Sequence, residues 1–92
     1  MAAVRLEVVG VVQGVGFRWF ARATARRLGL AGWVKNRADG TVEIAAEGDE
    51  GSLAQLSAAV REGPPGSRVT DVRTLDASGL RDLPRPFAVE RG

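Results

Sequence analysis

A two-layer α+β sandwich, one antiparallel sheet with two helices on a single face, is the fold class this sequence predicts. Three observations carry the prediction. The hydrophobic period switches repeatedly between two and about 3.6 residues, giving the order β-α-β-β-α-β with a further short strand at the end. Asp39-Gly40, a strong hairpin signal, joins the two middle strands. Each helix follows a strand, which suits a sheet covered on one side only.

The elements follow in order. Val4-Arg5-Leu6-Glu7-Val8 alternates apolar and charged side chains and reads as a half-buried strand. Gly10 to Gly16 carries three glycines and reads as a loop. From Phe17 to Leu28 the period lengthens: Phe17, Phe20/Ala21, Thr24 and Leu28 share one helical face, with Arg22 and Arg26 roughly opposite. Gly29 suits the cap at the helix C-terminus. Ala31 to Asn36 is a second strand and Thr41 to Glu47 a third, where Val42, Ile44 and Ala46 alternate with Glu43 and Glu47. Leu53, Leu56 and Val60 mark a second helix, capped by Asp49 or Ser52 and stopped by Gly63-Pro64-Pro65. Val69 to Leu75 is a fourth strand, and Val69 and Val72 break its alternation as a bulge would. Leu80 to Pro86 is a loop, and Phe87-Ala88-Val89-Glu90 a short closing strand. This order is the ferredoxin-like, split βαβ arrangement.

Composition narrows the chemistry. Ninety-two residues, 45% apolar and 26% charged, make one globular domain over 1–92. The start, Met1-Ala2-Ala3-Val4-Arg5, runs directly into a strand and lacks the apolar segment of a signal peptide, so a cytoplasmic location and no membrane partner are expected. The chain has no cysteine and no histidine. Disulfides, the usual zinc sites and every nucleophile–histidine constellation are therefore excluded. The pI of about 10.4 suggests nucleic acid, but the net charge is only +2. All but one of the 13 basic residues are arginine, and they are spread among acids. A small excess of groups that stay protonated past about pH 12 raises the pI without building a basic patch.

Two places could do chemistry. Gly10-Val11-Val12-Gln13-Gly14-Val15-Gly16-Phe17-Arg18 joins a strand to a helix. Glycines there let backbone N–H groups converge on an anion, and the helix start adds unpaired amides and the positive end of its dipole. Arg18 adds a guanidinium fork that matches phosphate oxygens. The same residues also fit a plain tight turn, with Arg18 heading a solvated Arg18/Arg22/Arg26 stripe. Asn36, the only asparagine, shares strand parity with Val34 and ends its strand. Its amide can accept from a water and donate to an oxygen, or it can serve the hairpin turn. Trp19 and Trp33 read as packing residues. Asp49-Glu50 and Asp71/Asp76 read as a helix cap and a solvated face, so no metal site is assigned.

At these residues the sequence resembles the acylphosphatase family. The stretch Gly10–Arg18 is similar to that family's first motif, and Gly32-Trp33-Val34-Lys35-Asn36-Arg37-Ala38-Asp39-Gly40-Thr41-Val42 to its second. Gly63-Pro64 and Phe87-Ala88-Val89 are similar to its helix-end turn and final strand. The resemblance implies hydrolysis of acyl phosphates without a cofactor. It implies that Val12, Gln13, Gly14, Val15, Gly16, Phe17 and Arg18 hold the phosphoryl group and that Asn36 positions the attacking water. Arg18 and Asn36 are thus the expected catalytic residues. Val11 departs from the family, where a basic residue is common; a change in peripheral charge is expected from it, not a loss of activity. Inorganic phosphate is expected as product and inhibitor, and the chain as a monomer.

An RNA-recognition module shares this element order but stacks bases on aromatics of its central strands. Thr41-Val42-Glu43-Ile44-Ala45-Ala46 has none and presents acids instead.

Overall fold

The computed structural model describes residues 2–91. Its elements are β1 (Ala2–Val11), α1 (Phe17–Arg27), β2 (Ala31–Asn36), β3 (Val42–Gly48), α2 (Glu50–Glu62), β4 (Arg68–Leu75) and β5 (Ala88–Glu90). They build one five-stranded sheet in the order β4-β1-β3-β2-β5. β3 lies between β1 and β2 and is antiparallel to both, pairing Leu6 with Ile44 on one side and Val34 with Ile44 on the other.

Period-two patterning sends one set of side chains toward the helices. Leu6 and Val8 of β1, Val34 of β2 and Val42, Ile44 and Ala46 of β3 form one core with Phe17, Ala21 and Ala25 of α1 and Leu53, Leu56 and Val60 of α2. This is the ferredoxin-like α+β sandwich. The bulge in β4 lies at Thr70: Val9 pairs with Asp71 and Gly10 with Val69, leaving Thr70 unopposed. The Thr70 hydroxyl then donates to Val9 O at 3.1 Å.

The closing strand departs from the expected all-antiparallel sheet. β5 pairs with β2 in parallel, Val34 beside Val89. The path of the chain explains this. β4 occupies the far edge, so the segment after Leu75 must cross to the other edge before β5 begins. It arrives where β2 starts: Gly32 N–H donates to Pro84 O at 2.8 Å, and Arg85 Nη1 to Gly29 O at 3.0 Å. A strand that starts beside the start of β2 must run with it.

The face away from the helices is a lattice of charge. The Glu43 side chain is only 1% exposed, although it sits on that face. Arg5 Nε donates to its Oε2 at 2.5 Å, and Arg37 Nη1 donates to its Oε1. Burial pushes the Glu43 carboxyl up, but the hydrogen bonds and charges of Arg5 and Arg37 outweigh it and hold the group below its ordinary value of 4.5. Arg73 pairs with Glu7 at 3.5 Å, and Lys35 lies 4.7 Å from the Trp33 ring centroid. Trp33 is half-buried there. Among the described residues, no helix is long and apolar enough to cross a membrane.

Candidate active site

β1 and β2 both run antiparallel to β3, so their C-terminal ends lie at the same end of the sheet. β1 delivers the glycine loop to that end, and β2 delivers Asn36. A pocket of about 170 Å³ opens between them, lined by Val12, Gly14, Gly16, Phe17, Arg18, Trp19 and Asn36. Two stretches of sequence read separately therefore meet at one place.

The loop is shaped to leave amides unpaired. Gly14 and Gly16 take φ of 75° and 78°, in the left-handed region that glycine enters without penalty. Among the described residues, the N–H groups of Gln13, Gly14, Val15, Gly16 and Phe17 donate to no backbone carbonyl. The two helices differ at their starts. α2 is closed by its own Asp49, whose side chain accepts from Ser52 N–H at 3.1 Å, and it carries Glu50 in the first turn. α1 starts from Gly16 with no side-chain cap and no acid in its first turn. An uncapped helix end with free loop amides around it is a seat for an anion.

The other predicted residues have distinct duties. Val12 and Phe17 are each 1% exposed, and their side chains anchor the two ends of the loop in the core. Val15 packs partly against that core. Gln13 is not among the pocket's lining residues, because its side chain is used elsewhere: Nε2 donates to Arg37 O and to Thr41 O, both at 2.8 Å. It straps the loop to the β2–β3 hairpin, a duty that reading the motif as a phosphate cradle does not reveal. Val11 is 57% exposed and lines none of this pocket.

The arginine stripe of α1 divides. Arg26 Nε donates to Phe87 O at 2.8 Å, and the Arg22 guanidinium lies 5.0 Å from the Trp19 ring centroid. Arg18 makes no ion pair among the described residues and lines the pocket. Among the described residues, no carboxylate shares that lining. Trp19 differs from the expected packing residue: it is 60% exposed. The helix buries Phe17, Ala21, Thr24 and Ala25, and Trp19 lies about 200° around the axis from Phe17.

Asn36 takes no part in the hydrogen bonds of the turn. The hairpin closes through Arg37 N–H to Thr41 O at 2.9 Å and Gly40 N–H to Arg37 O at 3.1 Å. The Asp39 carboxylate accepts from Thr41 N–H and hydroxyl, at 3.0 and 2.6 Å, which holds its carboxyl below the usual range. Asn36 Oδ1 is buried and has no hydrogen-bond partner. A buried acceptor without a partner costs free energy and needs a reason. The Asp71/Asp76 pair is occupied: Asp71 with Arg73 at 3.1 Å, Asp76 with Ser78.

The acylphosphatase family model matches residues 4–88 of the chain. An acylphosphatase of Koribacter versatilis is 49% identical over 86 residues, which cover 94% of this chain and 77% of that protein. One from Bacillus velezensis is 56% identical over 80 residues, covering 87% and 88%. The crystal structure of acylphosphatase from Bacillus subtilis superposes with a TM-score of 0.90 at 47% identity, covering 98% of this chain and 99% of that one.

Proposed function

Given that the chain belongs to the acylphosphatase family, we propose that it hydrolyses acyl phosphates, with the phosphoryl group held by the loop amides and Arg18 and the attacking water held by Asn36. The observation that carries this reading is the unpartnered Asn36 Oδ1 beside an uncapped helix end. The helix end and Arg18 attract an anion; the carbonyl oxygen accepts a hydrogen bond from a water and turns its lone pair toward that anion.

The reaction asks for little more. The water oxygen forms a bond to phosphorus while the bond from phosphorus to the acyl oxygen breaks. The electron pair leaves with the carboxylate, which is stable unprotonated at neutral pH because carboxyl pKa values lie near 4. No general acid is needed for that leaving group. In a loose phosphoryl transition state the nucleophile needs little deprotonation, so catalysis reduces to positioning and charge stabilisation. The water's proton passes to a phosphate oxygen of the substrate, and carboxylate and inorganic phosphate depart. An alkyl monoester expels an alkoxide instead, which this set of groups does nothing to protonate.

Acetyl phosphate hydrolysis in the presence of a chelator tests the proposal. Turnover is expected, with competitive inhibition by inorganic phosphate and no comparable rate on an alkyl phosphate monoester. Arg18→Ala should weaken phosphate binding and turnover together, and Arg18→Lys should rescue poorly, since an ammonium lacks the bidentate fork. Dependence on magnesium, or equal rates on alkyl monoesters, would defeat the reading.

A further inference from the structure

A second groove, of about 490 Å³, opens beside the phosphate pocket, and Arg18 and Trp19 line both. Its remaining walls are Val89 and Arg91, from β5 and the residue after it. The parallel pairing of β5 with β2 sets where they lie. Val34 pairs with Val89 and Lys35 with Glu90. Arg91 follows directly after Glu90, at the end of the sheet that holds the pocket, and lines the groove with Arg18 and Trp19. Val89 and Arg91 share parity with Val34, so both stand on the helix-covered side.

Trp19 is the link between the two cavities. Its indole is 60% exposed, and Arg22 lies 5.0 Å from the ring centroid. Among the described residues, no carboxylate lines the groove.

We propose that this groove receives the acyl group of the substrate and favours aromatic acyl groups; the inference rests on reading the adjoining pocket as the phosphoryl site. One oxygen joins the phosphoryl group to the acyl carbon. A phosphoryl group seated in the smaller pocket must therefore send its acyl group out over the rim, and Trp19 forms part of that rim. There the acyl group meets two flat, π-bearing surfaces, the Trp19 indole, which already has Arg22 5.0 Å from its ring centroid, and the Arg91 guanidinium, with Val89 as an apolar neighbour. An aryl ring stacks on an indole, and a guanidinium plane stacks on an aryl face. An acetyl group is too small to use any of these surfaces.

The test compares kcat/KM for benzoyl phosphate, acetyl phosphate and succinyl phosphate in the native chain and in Trp19→Ala, Trp19→Phe and Arg91→Ala, each first checked for native circular dichroism. The benzoyl-to-acetyl ratio should fall about 3- to 10-fold in Trp19→Ala, mainly through KM, and stay within about twofold in Trp19→Phe. Arg91→Ala should lower it about two- to threefold. A ratio unmoved by Trp19→Ala overturns the inference. So does a larger loss on succinyl than on benzoyl phosphate, which would make the groove a selector of charge. A native chain that hydrolyses none of the three overturns the phosphoryl-site reading itself, and this inference with it.

Discussion

Replacing Asn36 by alanine separates catalysis from stability, and the structure sets both magnitudes. Oδ1 is buried and makes no hydrogen bond within the fold, so its removal deletes no native hydrogen bond of that atom. An unsatisfied buried acceptor costs about 1–3 kcal/mol, less whatever a bound water returns. Asn36→Ala should therefore melt at the native temperature or a few degrees above it, since about 1 kcal/mol corresponds to roughly 4–8 °C in a domain of this size. Activity should move the other way. A nucleophile displaced by about 1 Å costs on the order of 100-fold, and about 2.7 kcal/mol at 1.36 kcal/mol per decade. On the proposed reading that loss falls in kcat, because the water would matter as the transition state forms, with phosphate affinity assigned to the loop and Arg18. The assay is steady-state hydrolysis of acetyl phosphate, with a phosphate inhibition constant and a thermal melt for each protein. A folded variant with native kcat would remove Asn36 from the mechanism. A melt lowered by more than about 8 °C would make it a structural residue.

The strap and the buried carboxylate yield two more predictions. Gln13→Ala loses both 2.8 Å hydrogen bonds to the hairpin, so phosphate affinity should drop about 10-fold by calorimetric titration and stability by about 1–2 kcal/mol in urea; Gln13→Glu should not rescue, because a carboxylate cannot donate to two carbonyls. Glu43 is held below its ordinary pKa of 4.5, so the stability it contributes is fully present above that value and is lost as pH falls through the lowered one. Glu43→Gln should flatten urea stability against pH below about 4.5 relative to the native chain, and an unchanged profile would show that the carboxylate contributes nothing there.

Much of this molecule was legible in its sequence, and the exceptions share a cause. Leu6, Val8, Ile44 and Ala46 were visible because period-two alternation is local; a cap is read within one turn, which narrowed the start of α2 to Asp49 or Ser52, and the structure chose Asp49. The pairing of the glycine loop with Asn36 came through motifs that resemble a known family; nothing local links residues 24 positions apart in the way Gln13 links to Arg37. The Arg5–Glu43 contact spans 38 residues, and no pattern in either strand announces that a central glutamate will be buried between two arginines. β5 has three residues, too few to carry a direction. Trp19 is different in kind, since its angle on the helix was available from counting, and the large apolar side chain was allowed to outweigh it.

The position of β3 has a consequence for how activity first arises. β1 and β2, whose ends carry the loop and Asn36, are never neighbours; β3 stands between them and contributes none of the pocket's lining residues. The chain has made both halves of the site before β3 exists in sequence, yet only the later strand can hold them at the right separation. A partly folded chain with β1, α1 and β2 formed should thus be inert. Long-range pairing of this kind is the slow part of folding. Recovery of hydrolysis after dilution from denaturant would then report the seating of the central strand, making the enzyme's own turnover a clock for its sheet.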